Sequence, residues 1–306
     1  MLAQEVTADP FRFQAHPAVW LLVGSLIAAY VYMVKVVGPH AVPAGQPVVT
    51  RRQVWCFVAA IALLWTASDW PMHDLGEDYL YSSHMLQHMM LSYFMPPLAL
   101  MATPEWLLRT LIGGGRLYRV VRWLCRPVVA GVLFNLAVMV SHIPGVVNTS
   151  VDSDSSLVHY SVHVMVVMTS LLMWMCVCGP LPEMRIGPGA TMIYLFMQSI
   201  VPSVPAGWLA FADGIVYDAY DQPVRVWGID ATADQQIAGA IMKTGGTIFL
   251  WSVIITLWFR YFSSDYRRDQ AEAFRPRRDE PLTYGDVERE FAGTAPAAEP
   301  TGPLNG

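Results

Sequence analysis

Long apolar runs alternate with short polar linkers along most of this 306-residue chain. Each run is close to the roughly 20 residues that an α-helix needs to cross the hydrocarbon core of a bilayer. The pattern predicts an all-α fold, a polytopic membrane helical bundle with seven transmembrane helices. We place these helices at residues 17–37, 54–70, 80–101, 127–143, 157–178, 190–212 and 236–260.

Proline punctuates two of these runs. Pro96 and Pro97 lie inside the third run, and Pro202 and Pro205 lie inside the sixth. Because proline has no backbone N–H and its ring clashes with the preceding turn, we expect a disruption in both helices.

Polar segments flank the bundle at both ends. We divide the chain into an outer N-terminal segment at residues 1–16, a single seven-helix membrane domain at residues 17–262 and a tail at residues 263–306. The tail is rich in Ala, Pro, Arg and Glu, a composition typical of disorder, so we predict a disordered cytoplasmic tail. Residues 1–16 place no basic segment before the apolar run, and we expect no cleavable signal peptide.

The positions of Lys and Arg predict the orientation of the bundle. Two of these residues, Arg12 and Arg225, fall on one side of the seven-helix arrangement, and Lys243 lies inside the seventh helix. All the others fall on the opposite side, in the linkers after helices 1, 3 and 5 and around the tail. Because cytoplasmic loops carry the excess of Lys and Arg, the N-terminus is predicted outside and the C-terminus in the cytoplasm.

Composition and charge narrow the functional classes. Hydrophobic residues make up 54% of the chain and charged residues 14%, against about 25% charged in ordinary soluble domains. This surplus of apolar residues predicts a lipid bilayer as the surroundings. The net charge of −5 gives no basic field, so we expect no nucleic acid as a partner. All four cysteines fall near the predicted cytoplasmic side, where thiols stay reduced, and we expect no disulfide. They are Cys56, Cys125, Cys176 and Cys178.

Histidines supply the candidate chemistry. Five of the eight fall in the outer third of the predicted bundle: His84, His88, His142, His159 and His163. Two pairs among them are spaced i,i+4, which puts both imidazoles of a pair on one helix face, within reach of a common metal ion. A single intramembrane histidine is more often a hydrogen-bonded packing residue, whereas two pairs and a fifth histidine at one level favour a metal site.

The neighbouring residues favour copper. Imidazole suits Zn, Cu, Fe and Ni, while thioether sulfur selects Cu(I). Met85, Met89 and Met90 are interleaved with the first histidine pair, although such a stripe is also ordinary core packing. His73, in the linker before the third helix, is interpreted as an ordinary loop histidine, with a role on an access path as the alternative.

Several of these residues also carry a family resemblance. The segment from Ser82 to Pro97 reads SSHMLQHMMLSYFMPP, and it is followed by Ser141-His-Ile-Pro144, by His159 and His163, and by Asp234-Gln-Gln-Ile-Ala-Gly-Ala-Ile-Met242. This order resembles the CtaG family of integral-membrane cytochrome c oxidase assembly factors over about residues 55–259. Lys243 departs from the family pattern, because a cation there would repel a bound metal ion unless it is paired or deprotonated.

The resemblance implies a non-catalytic protein of the bacterial plasma membrane that is needed to form active oxidase and is linked to copper supply. Oxidase subunits would be its partners, with a periplasmic copper donor as a further one. Carried over onto this chain, the candidate copper ligands are His84, His88, His142, His159 and His163.

Three other functions stay open from the sequence. A haem-binding membrane protein would use histidines of facing helices as axial ligands, which i,i+4 pairs on one helix fit less well. A copper transporter would suit the proline-broken sixth helix. A retinal protein is disfavoured, because no carboxylate lies near Lys243 or within the third helix to act as counter-ion.

Overall fold

The computed structural model describes residues 9–151, 156–222, 224–273 and 284–292. Within these ranges every regular element is a helix and none is a β-strand. The predicted all-α class is therefore confirmed.

The α-helices in chain order are α1 Pro17–Tyr32, α2 Gly38–Ala41, α3 Arg51–Ser68, α4 Met72–Asp78, α5 Tyr81–Met89, α6 Met95–Ala102, α7 Glu105–Ile112, α8 Arg116–Leu124, α9 Pro127–Ser141, α10 Pro144–Val151, α11 Ser156–Cys178, α12 Pro188–Ile200, α13 Ser203–Ala210, α14 Ala231–Ala273 and α15 Tyr284–Ala292. Two π-helical segments, Met33–Val37 and Met90–Phe94, join α1 to α2 and α5 to α6. Short 3₁₀ turns cover Pro182–Met184, Asp218–Tyr220 and Val226–Gly228.

Several of these helices are long and apolar enough to cross a membrane. In the described part of the chain there are five, at Pro17–Ala41, Arg51–Asp78, Leu157–Cys178, Pro188–Ala210 and Ala231–Ser263. A sixth results if α8 and α9, which meet at a bend of 71°, form one broken span. The predicted span at 80–101 is divided among α5, a π-helical segment and α6. A multi-span membrane protein is supported, while the count of seven and the orientation stay predictions.

The expected disruption at Pro96 and Pro97 takes the form of the π-helical segment Met90–Phe94. The carbonyl of Ser92 has no partner within its own helix, because residues 96 and 97, its i+4 and i+5 neighbours, both lack an N–H. Helix α11 supplies the missing donors: the Ser170 hydroxyl and the Trp174 indole N–H, the latter at 3.1 Å. The freed carbonyl therefore ties the third predicted span to α11.

Apolar packing joins the remaining helices. Helix α6 packs between α3 and α11, and α11 packs along α9. The largest buried cluster is centred on Phe134, Trp174, Leu195 and Leu250, which come from α9, α11, α12 and α14. The sixth predicted span is interrupted where α12 ends at Ile200 and α13 begins at Ser203, as Pro202 predicts.

A buried carboxylate joins α14 to α5. Asp234, in the first turn of α14, accepts hydrogen bonds from the backbone N–H of Tyr81 at 2.6 Å and of Ser82 at 3.2 Å, and from the Ser82 hydroxyl. These N–H groups open α5 and have no partner within the helix. Asp234 thus acts as the N-terminal cap of a helix 153 residues away in sequence.

Contacts within the chain divide it into two units, residues 1–258 and 259–306. In the second unit the described helices are α15 and the part of α14 that follows Trp258. Residues 1–8 of the predicted outer segment, and residues 274–283 and 293–306 of the predicted tail, lie outside the described residues. The predicted domain boundaries and the disorder of the tail therefore stay predictions.

We expect Asp234→Ala to destabilise the bundle by about 1–3 kcal/mol, because it leaves buried N–H groups of α5 without an acceptor. Asp234→Asn keeps one acceptor oxygen and should have a smaller effect. The measurement is the thermal unfolding midpoint of the protein in detergent. Asp213→Ala, which removes an exposed carboxylate from the preceding linker, is the matched control. Equal midpoints for Asp234→Ala and this control would contradict the capping role.

Candidate metal centre

Helices α5 and α11 bring four histidines together. His84 and His88 are one turn apart on α5, and His159 and His163 are one turn apart on α11. The rings face each other across the helix pair, with centroids 4.8 Å apart for His88 and His163 and 5.7 Å apart for His84 and His163. The i,i+4 spacing put each pair on one face, and the packing of α5 near α11 then joined the two pairs.

Three of these imidazoles form the arrangement that we call the inner cluster, defined as His84, His88 and His163. One ring nitrogen from each lies within 4.8 Å of the other two. His84 and His88 are only 6% and 8% exposed. Nε2 of His88 and of His163 has no hydrogen-bond partner in the described part of the chain. Nδ1 of His84 lies 3.3 Å from a carboxylate oxygen of Glu77, which leaves its Nε2 as the nitrogen for an ion. Buried ring nitrogens without a partner are costly, and a metal ion would satisfy them.

The fourth histidine belongs to a neighbouring arrangement, the outer cluster, defined as His73, Glu77 and His159. One donor atom from each of these residues lies within 4.8 Å of the others. Oε2 of Glu77 is 3.1 Å from Nδ1 of His159, and its Oε1 is 3.3 Å from Nδ1 of His84. Glu77 therefore stands between the outer and the inner cluster.

His73 and Glu77 are members of the site that the sequence did not predict. The segment between the second and third spans was expected to be a linker, and His73 a loop histidine with a role on an access path as the alternative. The structure forms α4 there and places both residues on one face of it, at i,i+4 spacing. The spacing itself was a signal, but a single His-x-x-x-Glu in a short polar stretch predicts no partner until α4 is packed against α5.

His142 belongs to neither cluster. Its Nδ1 donates to the carbonyl of Val138 at 2.7 Å, which in the neutral ring leaves a lone pair on Nε2. Nε2 faces Sδ of Met85 at 3.4 Å. His142 shares a cavity with His88, Met85, Met89 and Met242. The five predicted ligands are thus divided among the inner cluster, the outer cluster and this thioether-lined cavity, and their role as ligands stays a prediction.

Three tyrosines pack beside the inner cluster. The ring of Tyr81 stacks on His84 at a centroid distance of 5.7 Å and contacts Tyr217 and Tyr220 of the linker before α14. Tyr217 donates to the carbonyl of His142 at 3.1 Å, and Tyr220 to the carbonyl of Gly76 at 2.8 Å. Burial raises the pKa of Tyr220, so its hydroxyl keeps the proton that it donates.

Other polar residues at this end of the bundle hold backbone segments together. Gln235 accepts from the N–H of Val216 at 2.8 Å, and Gln236 donates to the carbonyl of Ala212 at 2.9 Å, so both hold the linker to α14. Lys243 is exposed on α14, so it does not add a buried cation to the site. The four cysteines are free thiols, and neither cluster contains a cysteine among the described residues.

A glycine sets the distance between α4 and α5. A Cβ added to Gly76 would lie 3.1 Å from both N and Cα of His84 and 3.2 Å from Oε1 of Gln87. These distances are too short for a relaxed contact, and two of the three atoms belong to the backbone. A residue with a side chain would push α4 away from α5, and Glu77 would move away from His84.

We therefore expect Gly76→Ala to lower stability by about 1–3 kcal/mol through overpacking, and to weaken metal binding at the same time. Gly145→Ala in α10 is the matched control, since nothing lies within 4 Å of its added Cβ. Alanine in a helix is otherwise more stable than glycine, so the two variants should shift the unfolding midpoint in opposite directions. A Gly76→Ala midpoint at or above that of the wild type would contradict the close approach.

The comparisons with known proteins agree with the resemblance that the sequence carries. The family model for the cytochrome c oxidase caa3 assembly factor, Caa3_CtaG, matches residues 28–264. No curated protein and no solved structure gives a match. The matched range includes both histidine clusters, the thioether-lined cavity and most of the helical bundle. Because the match covers well over half of the chain, this protein belongs to the family of cytochrome c oxidase caa3 assembly factors.

Proposed function

We propose that this assembly factor acts without catalytic turnover, by binding copper through outer-facing histidine and methionine side chains and supporting its insertion into cytochrome c oxidase. The observation that carries the proposal is the inner cluster, in which one ring nitrogen from each of three imidazoles on two helices lies within 4.8 Å of the other two, and in which Nε2 of His88 and of His163 has no hydrogen-bond partner among the described residues. The fourth position of a tetrahedral ion would stay open for a ligand of the receiving subunit.

The thioether-lined cavity supports copper over zinc. His88 belongs to the inner cluster and also lines this cavity, together with Met85, Met89 and Met242. Thioether sulfur and imidazole nitrogen together select Cu(I), because sulfur is a soft ligand. Nε2 of His142 and Sδ of Met85, 3.4 Å apart, present two lone pairs to a shared space.

The geometry gives less support to haem. Axial imidazoles must stand on opposite sides of a macrocycle, with each nitrogen about 2.0 Å from the iron. The rings of His88 and His163, on facing helices, contact each other directly at a centroid distance of 4.8 Å. No porphyrin plane fits between these two rings.

A copper transporter is the second candidate, favoured by the break between α12 and α13. Pro202, at that break, lines the same cavity as His88 and His142. Broken helices beside a midplane cavity are a common feature of transporters. Copper uptake into vesicles that contain the purified protein would favour transport, while binding without uptake favours the assembly role.

The first test is copper stoichiometry, measured by mass spectrometry on the full chain in detergent after anaerobic loading with Cu(I). We expect the wild type to retain copper and the double variant His84→Ala plus His88→Ala to lose the copper of the inner cluster. His40→Ala is the matched control, because His40 is exposed and only its contact to the carbonyl of Val36 is lost. Equal thermal midpoints would establish that all three proteins are folded.

The second readout is the oxidase itself. In cells that produce the double variant in place of the wild type, we expect the oxidase to lack copper and activity although the variant is present in the membrane. An absence of copper from the purified wild type would contradict the ligand assignment. A Soret absorption band on the wild type would favour the haem alternative.

A further inference from the structure

We propose that the outer cluster of His73, Glu77 and His159 binds a second copper ion beside the inner cluster, with Glu77 connecting the two positions. The proposal rests on the proposed function for the identity of the ion. Its geometry rests on a separate set of side chains, two of which lie on α4. Two imidazoles and a carboxylate form a donor set that suits Cu(II).

Two donor atoms of the outer cluster are placed as the ligands of one ion would be. His159 is 7% exposed, and its Nδ1 has no hydrogen-bond partner in the described part of the chain. It faces Oε2 of Glu77 at 3.1 Å without hydrogen-bond geometry. Two ligands held at about 2.0–2.1 Å from one tetrahedral ion lie about 3.4 Å apart, close to this separation. The pair is thus spaced as two ligands of one ion would be.

His73 is held by a buried amide. Nε2 of Gln87, a residue that is 1% exposed, lies 3.1 Å from Nδ1 of His73, so the amide as placed donates to this nitrogen. Oε1 of this amide otherwise has no partner in the described part of the chain. Turning the amide by 180° exchanges its oxygen and nitrogen, and Oε1 then accepts Nδ1–H of His73, which leaves the lone pair on Nε2. Such a hydrogen bond fixes the tautomer of a metal-binding histidine.

Glu77 lies between the two clusters. While Oε2 faces His159 of the outer cluster, Oε1 lies 3.3 Å from Nδ1 of His84 in the inner cluster. A carboxylate beside the second nitrogen of a metal-binding imidazole orients the ring and increases its basicity. One carboxylate therefore serves as a ligand in the outer cluster and as a supporting group in the inner one.

A row of imidazole rings connects the outer cluster to the protein surface. Successive imidazole rings are in contact from His16 to His73 at 5.0 Å, to His159 at 5.7 Å, to His163 at 4.4 Å and to His88 at 4.8 Å. His16 is partly exposed and is fixed by Asp74, whose Oδ1 lies 2.8 Å from its Nε2. The outer cluster occupies the step between this exposed histidine and the buried inner cluster, so it is the position that an incoming ion meets first.

The test is a count of Cu(II) ions on the full chain in detergent, loaded with copper sulfate, desalted and measured by mass spectrometry. We expect two ions on the wild type, one on His73→Ala, one on His88→Ala and none on the variant that combines both changes. Glu77→Gln should lose the outer ion and also weaken the inner one by about 10–100-fold. Asp78→Asn, which changes an adjacent exposed carboxylate, and His40→Ala are the matched controls and should keep two ions.

Electron paramagnetic resonance gives a second readout. Two Cu(II) ions in adjacent sites broaden each other's signal through their magnetic dipoles, so the wild type should show a broader signal than either single variant. His73→Gln, which keeps a hydrogen-bonding side chain beside Gln87 but is no imidazole ligand, replaces His73→Ala if the latter fails to fold.

The outcomes separate the two proposals. One ion on the wild type, unchanged by His73→Ala, would overturn the second site and leave the proposed function intact. One ion that either single variant removes would overturn it as well, because it would indicate a single shared site. No Cu(II) on any protein would overturn this inference alone, and the proposed function falls only if the anaerobic Cu(I) loading also leaves the wild type without copper.

Discussion

The close packing of α4 on α5 determines which polar side chains meet inside this bundle. At Gly76 the two helices approach so closely that a single added carbon would contact the backbone of His84. Because of that approach, the carboxylate of Glu77 reaches histidines on both α5 and α11. At this same residue, the Tyr220 hydroxyl donates a hydrogen bond to the carbonyl of Gly76. With α4 further away, His84 and His159 would lie in the bundle without a carboxylate.

The rest of the architecture supports this contact. Asp234 caps the start of α5 from α14, and the freed carbonyl of Ser92 binds the other end of the same span to α11. Each of these interactions satisfies a backbone group that a membrane interior would otherwise leave unpaired, at considerable cost. The helix that carries His84 and His88 is therefore fixed at both ends, which limits the movement of its imidazoles.

The chemical type of the donor atoms changes from the outer cluster to the inner cluster and the cavity. The outer cluster combines imidazole and carboxylate, the inner cluster is imidazole alone, and the cavity beyond His88 adds the sulfur of Met85, Met89 and Met242. Softer ligands prefer the lower oxidation state of copper. Under the copper-binding role proposed above, the ion would be held more firmly as Cu(I) in the cavity than in the outer cluster.

The sequence by itself determined the class of the protein and much of the candidate chemistry. Hydropathy gave the all-α membrane class, proline placed the two helix disruptions, and i,i+4 spacing paired His84 with His88 and His159 with His163, because these are local properties of one helix. Tertiary structure decided which pairs meet. In the fold, His163 lies beside the α5 pair, His159 lies beside His73 and Glu77, and His142 lies in the adjoining cavity. Those partners come from different helices, and no local spacing encodes how two helices pack.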